Sequence, residues 1–251
     1  PQLAWLGKNL KGEVFYFGLE DKSLYLPKMQ HATDSIFCPN CGKKLIYSGV
    51  YFSHLGDYRC VKCGFDHPKV VKGYKGNGGY MGKVEGVYNY YNVLAALLTA
   101  EVLGIKNPDL SGFKPAFGRG EEISLPAGRQ VKILLSKNPA GFNESLRTVL
   151  NSKRQGPLLL ALNDRIPDGR DISWIWDVDF EMLKDFQEKI YVSGDRVFDL
   201  ALRLKYGGIR EVRVVRKIGE IREIINQISW VLPTYSAMLE IRKILTGRKI
   251  L

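Results

Sequence analysis

Residues 130–150 read QVKILLSKNPAGFNESLRTVL, and the period of the apolar pattern changes part-way along. The run at 131–135 is short, continuous and apolar, as a buried strand is. The Lys-Asn-Pro-Ala-Gly stretch is a loop, and 143–150 repeats its apolar residues at helical spacing. The alternation continues downstream. Residues 157–162 read as a strand, 180–186 as a short helix, 189–192 as a strand, and 196–205 as a helix with Gly207 and Gly208 behind it. A strand at 212–215, a helix at 218–229, a strand at 230–232 and a helix at 236–245 complete the series. Strands alternating with helices predict an α/β domain, Rossmann-like, with a mostly parallel sheet. Ligands of such sheets gather at the carboxyl ends of the strands. Two loops, 136–144 and 163–177, fall there.

Upstream the pattern is less regular. Residues 14–17, 24–26 and 80–84 read as strands, and 73–79 as a Gly/Lys/Asn loop. Residues 89–103 read as a helix with Val93, Leu94, Leu97, Leu98 and Val102 on one face and Gly104 as its cap. The Pro/Gly-rich stretch 107–120 suits a passage between domains, which places one domain at about 1–115 and a second at 116–251.

All four cysteines lie in the first domain, as Cys38-Pro-Asn-Cys41 and Cys60-Val-Lys-Cys63. Two C-x2-C knuckles can offer four thiolates to one tetrahedral ion. Gly42 and Gly64 follow each second cysteine, and 43–50 and 51–59 read as strands joined near Gly49. The layout is that of a zinc ribbon at about 36–68, with two disulfides as the alternative. His54 and His67 are further candidate ligands, but four thiolates already close the site, which makes such a zinc structural.

The chain has 251 residues, 45% hydrophobic, with 37 Lys+Arg against 26 Asp+Glu and a formal charge of +11. A positive balance favours an acidic partner: nucleic acid, a phosphorylated substrate, an anionic membrane surface or an acidic protein. No signal peptide and no apolar run of about 18 residues is present, so a cytoplasmic protein is expected. The chain opens on Pro1 rather than Met and reads as part of something longer.

Of the two loops, 163–177 carries Asp164, Asp168, Asp171 and Asp177 around Trp174 and Trp176. Paired carboxylates can act as acid and base, bind a divalent metal, or orient another chain's base; turn-forming Asp and core Trp are the bland alternative. All three histidines, His31, His54 and His67, precede residue 68, and no cysteine follows Cys63. The second domain therefore cannot build a Cys-His or Ser-His pair of its own. In the loop 136–144, Asn143 is expected to cap the helix, whose free N–H groups with Lys137 favour an anion.

The runs KNPAGFNE (137–144), DGRDISWIWD (168–177), YVSGDR (191–196) and LPTY (232–235) resemble the MurT family, synthase subunits of lipid II isoglutaminyl synthase and relatives of the Mur ligases. The resemblance runs through the whole chain, ribbon included. It implies a partial Mur-ligase central domain followed by the family's carboxyl-terminal domain. It further implies ATP- and Mg²⁺-dependent activation of the D-glutamate α-carboxyl of lipid II, and amidation to D-isoglutamine by ammonia from a GatD-type glutaminase subunit. That partner brings a Cys and a His, and Asp171, or failing that Asp177, completes the triad. Trp174 and Trp176 then suit the partner interface. Asn89 and Asn92 match the adenine-binding asparagines of the Mur-ligase stretch H-N-x-x-N-x-x-A-A, with Tyr88 replacing its His; capping of the local helix is the alternative. Arg119 sits where a phosphate-contacting Arg is kept, and Lys137, Asn138, Asn143 and Glu144 fall to the substrate. No G-x-x-x-x-G-K-[ST] run occurs in these 251 residues, so no ligase activity is expected from them alone.

Two readings from other classes compete. Zinc, positive charge and 13 tyrosines also suit a nucleic-acid-binding module, although the basic residues are spread out rather than gathered into one stripe. A non-catalytic adaptor for the glutaminase would need no ATP contact. A membrane surface is expected to be met only through the lipid substrate.

Overall fold

The computed structural model describes residues 1–31, 33–74, 85–113 and 117–248. The chain divides into two compact units, Pro1–Phe113 and Lys114–Leu251.

The second unit is built on a six-stranded sheet. In chain order its strands are β5 (Arg119–Ser124), β6 (Gln130–Leu134), β7 (Leu158–Ala161), β8 (Ile190–Ser193), β9 (Val212–Val214) and β10 (Trp230–Pro233). They lie in the order β5-β6-β10-β7-β8-β9, all parallel except β5, which runs antiparallel to β6. The alternation expected from sequence is therefore present, with an antiparallel edge added within residues 119–124. The run Leu158-Leu159-Leu160-Ala161-Leu162 shows why β7 is central. Leu158, Leu160 and Leu162 enter one core, with Leu146 of α3 (Pro139–Asn151) and Leu200 of α4 (Val197–Tyr206). Leu159 and Ala161 enter the other, with Met238 and Ile241 of α5 (Tyr235–Thr246). A strand covered on both faces has no need of polar alternation.

Two expected helices are shorter turns. Residues 180–186 form a 3-10 turn at Phe180–Leu183, and 218–229 form two, at Ile218–Glu223 and Ile225–Gln227. The spacing explains this. Phe180 and Leu183, and likewise Ile218 and Ile221, are buried and three residues apart, which is one 3-10 turn.

In the first unit, α1 (Gln2–Gly7) precedes β1 (Phe17–Leu19), which pairs in parallel with β4 (Lys72–Tyr74). α2 (Val87–Val102) buries Val87, Leu94 and Leu98, while Val102, expected on the buried face, is exposed. The expected strand at 24–26 is absent. Lys22–Leu24 is a 3-10 turn because the Asp21 carboxylate accepts from Ser23 N–H (3.0 Å) and Ser23 Oγ (2.7 Å). The expected strand at 80–84 and most of the loop 73–79 lie outside the described residues.

Between them stands an antiparallel hairpin, β2 (Ile46–Phe52) and β3 (Leu55–Arg59). It turns at Ser53 (φ 48°) and His54, not near Gly49 as expected. Gly49 instead makes room for the Tyr25 ring, which would lie 2.2 Å from a Cβ there. Glycine inside a strand commonly marks such a close approach.

Candidate functional site

The knuckles at the base of the hairpin bring Cys38, Cys41, Cys60 and Cys63 together, with their Sγ atoms all within 4.8 Å of one another. No disulfide joins them. Cys38 and Cys63 Sγ are 3.6 Å apart, and Cys41 and Cys60 Sγ 3.5 Å. A tetrahedron with Zn–S bonds of 2.3 Å requires about 3.8 Å between sulfurs, so the four side chains fit one zinc ion with little adjustment. Hydrogen bonds from the Asn40 side chain and the Phe65 N–H hold the Cys63 thiol down at about 6. His54 and His67 do not join the cluster: Nδ1 of His54 is 3.3 Å from Ser53 Oγ, and the His67 ring packs edge-on to Tyr58. Burial lowers the pKa of both, which favours neutral rings.

Asn89 and Asn92 lie in the first turns of α2. Asn89 Nδ2 donates to Glu85 C=O at 2.7 Å, and its Oδ1 accepts from Asn92 Nδ2 at 3.2 Å. The helix is capped by Gly86 (φ 88°) without a side-chain bond, so neither asparagine caps it by accepting a helix N–H. Arg119, in the second unit, is exposed at the start of β5 between Gly118 and Gly120, both at positive φ.

The carboxyl ends of the parallel strands form the polar edge of the second unit. After β6, Lys137 and Asn138 are exposed. Asn138, not Asn143, caps α3: its Oδ1 accepts from Gly141 N–H at 2.8 Å. Pro139 decides this, since its fixed φ suits the first helical position and puts the cap one residue earlier. Asn143 is then carried inside, where its Nδ2 donates to Asp179 Oδ2 (2.9 Å) and its Oδ1 accepts from Asp179 N–H (2.8 Å). Glu144 is also buried, with Arg147 Nη1 3.6 Å away. Of the four residues expected to meet substrate, the fold leaves only Lys137 and Asn138 open to solvent.

After β7, the four aspartates divide. Asp164 pairs with Arg196 (3.1 Å). Asp168 accepts from Ser236 N–H (2.7 Å) and Ser236 Oγ, holding the loop to the N-terminus of α5, where the helix dipole favours a carboxylate. Asn163 strengthens the same junction: its N–H donates to Thr234 Oγ1, its Nδ2 to Ser236 Oγ, and its Oδ1 accepts from Asp195 N–H, each at 2.9 Å. Asp171 and Asp177 remain exposed. Asp171 Oδ1 accepts from Ser173 N–H at 2.8 Å, which starts the 3-10 turn Ser173–Asp177. That backbone bond holds its pKa below the ordinary carboxylate value, so it is ionised at neutral pH.

The tryptophans divide too. Trp174 packs on Phe142 (6.2 Å between rings) and joins the core. Trp176 is 49% exposed and meets the exposed Tyr206 edge-on at 5.6 Å. Phe198, Leu202 and Tyr206 of α4, four residues apart, are all exposed, so Trp176 adjoins an apolar helix stripe. One residue not singled out from sequence fixes this segment. Arg203 of α4 is buried and donates to Ile175 C=O (3.2 Å) and Val178 C=O (2.6 Å). It also pairs with Glu181 (3.0 Å) and lies over the rings of Trp176 and Phe180. Only its place three residues from Leu200 and one from Leu204, on the apolar face of a helix, distinguishes it in the sequence.

Residues 135–238 match the MurT ligase C-terminal family, and this segment holds the carboxyl-edge loops just described. The chain is 29% identical over 272 residues to the MurT subunit of lipid II isoglutaminyl synthase (glutamine-hydrolyzing) of Streptococcus pneumoniae, covering 96% of this chain and 60% of that protein. Over most of its length this chain is thus similar to MurT subunits, and the family match itself falls on residues 135–238. It is also 30% identical over 222 residues to the Staphylococcus aureus MurT subunit of the same name, covering 81% of this chain and 50% of that one. It thus spans between half and about three fifths of the length of these MurT relatives. Among solved structures it is similar to the UDP-N-acetylmuramate-alanine ligase MurC of Thermotoga maritima (TM-score 0.49, 16% identity, 66% of this chain and 38% of that one). It is similar also to the folylpolyglutamate synthase of Mycobacterium tuberculosis complexed with ADP and AMPPCP (TM-score 0.48, 17% identity, 67% and 42% covered). No helix among the described residues is long and apolar enough to cross a membrane.

Proposed function

We propose that this chain works in the synthase subunit of a lipid II isoglutaminyl synthase, amidating the D-glutamate α-carboxyl with ammonia released from glutamine by a GatD-type partner. The observation that carries this reading is the exposure of Asp171 at the start of the turn whose Ile175 and Val178 carbonyls Arg203 holds, beside exposed Trp176. The second unit has no histidine or cysteine of its own, so Asp171 would serve as the acceptor that orients a histidine brought by the partner. Asp177, at the end of the same turn, is the second candidate. Asp164 and Asp168 already have internal partners, which leaves them holding the loop.

The partner would dock on Trp176 and the stripe Phe198, Leu202 and Tyr206, with the half-buried Trp174 behind it. Lys137 and Asn138, at the carboxyl end of β6, would meet the acidic substrate. Asn89 and Asn92 are proposed for the adenine of ATP and Arg119 for its phosphates. With Mg²⁺, ATP would supply the activation of the carboxylate that ammonia then attacks. The four cysteines are proposed to hold one structural zinc, since four thiolates leave no open position for water. We infer that the complex works in the cytoplasm.

The test is to mix the chain with a cysteine-histidine glutaminase subunit and measure complex formation. A complex is expected, and Trp176→Ala is expected to weaken it by about 2 kcal/mol, roughly 30-fold, as a half-exposed aromatic anchor would. Absence of any complex with the unaltered chain would remove the basis of the proposal.

A further inference from the structure

Strand β9 is the outer strand of the six-stranded sheet and, among the described residues, pairs only with β8. Adjacent residues of a strand direct their N–H and C=O groups to opposite sides. Val215 N–H donates to Val192 C=O at 2.9 Å, so Val215 and Arg213 face β8, and the backbone groups of Val212 and Val214 face outward. That open side borders a cleft of about 770 Å³ lined by Val212, Val214 and Ile209 together with Lys184, Lys205 and Arg210. No acidic residue lines it. The three cations are exposed, and none forms an ion pair among the described residues; Glu211 and Asp185, adjacent in sequence, are not in the lining.

We propose that β9 is a docking edge for an extended acidic segment of a partner protein, which adds to the sheet as a further strand. Backbone pairing with Val212 and Val214 would give register, and carboxylates on alternate residues would meet Lys184, Lys205 and Arg210. Charged residues on edge strands also guard against aggregation, and Arg213 suits that task. The cleft cations differ because they come from three separate segments: the end of a 3-10 turn, α4 and the loop before β9. They surround an apolar floor rather than interrupting the strand. The Lys184 stem passes close over Gly208 (φ 83°), where a Cβ would lie 2.8 Å from Lys184 Cε. Charge complementarity therefore selects an acidic occupant, and the open ladder selects an extended polypeptide over a nucleic acid.

The experiment measures anisotropy of a labelled peptide of alternating Glu and Val against the whole chain, with a Lys/Val peptide and an oligothymidylate as comparisons. The acidic peptide is expected to bind in preference to both, and exchange of the Val212 and Val214 amides is expected to slow when it does. Reversing the three cations (K184E, K205E, R210E) should weaken binding about tenfold or more. Val214→Pro should do the same with every cation kept, because it removes an outward N–H and spares the β8 ladder. Unchanged amide exchange in the unaltered chain, equal or tighter binding of the oligothymidylate, or full binding by a folded Val214→Pro variant would each overturn the proposal.

Discussion

Replacing Asn138 by Ala removes the side-chain acceptor for Gly141 N–H and is expected to cost about 1 kcal/mol, as loss of a helix cap does. Asn143→Ala, five positions on, should cost about 2 kcal/mol or more, because it strips two hydrogen bonds from the buried Asp179. Urea unfolding of the two variants checks the order; a larger loss at Asn138 would contradict the cap assignment. The sequence showed that an asparagine begins this helix, but not which one, because helical periodicity is blind to where Pro139 starts the first turn. Arg203 was less legible still, since a cation on a helix reads as a solvated face until its partners are located. Arg203→Met leaves the buried carbonyls of Ile175 and Val178 without their donor. It should destabilise by about 3 kcal/mol in the same assay. Glu181 lies partly in solvent and contributes little of that.

At the scale of elements, the hairpin with its knuckles was the most legible part of the chain, because the C-x2-C spacing dictates geometry whatever surrounds it. Its turn was misplaced because Gly49 reads as a turn residue and its real constraint, the Tyr25 ring, comes from a distant segment. The isoleucines at 218, 221 and 224 fit helical spacing approximately and 3-10 spacing better, which separates the expected helix from the observed turns. Metal analysis of the purified chain should find one zinc. Removing it with a chelator should cost the ribbon on the order of 10 kcal/mol of folding free energy and expose all four thiols to titration. Thiols that titrate no faster after chelation would argue against a zinc-held ribbon.

At the scale of the molecule, the parallel order was readable from alternating strands and helices, but the insertion of β10 between β6 and β7 was not, since strand order is set by packing rather than by period. The sheet buries one core on each face within Lys114–Leu251, so this unit expressed alone should unfold in a single cooperative transition by calorimetry. The proposed site divides in the same way. Its carboxyl-edge loops could be located from sequence, whereas the separation of exposed Asp171 and Asp177 from the partnered Asp164 and Asp168 required the three-dimensional contacts. The most direct measurement is the rate of glutamine hydrolysis by a cysteine-histidine glutaminase subunit bound to this chain, unaltered and with Asp171→Asn. The asparagine keeps an acceptor for Ser173 N–H and removes the charge, so the complex should form and hydrolysis should fall at least about 100-fold. Hydrolysis at the unaltered rate from the Asp171→Asn complex, and again from Asp177→Asn, would contradict a triad completed by this loop.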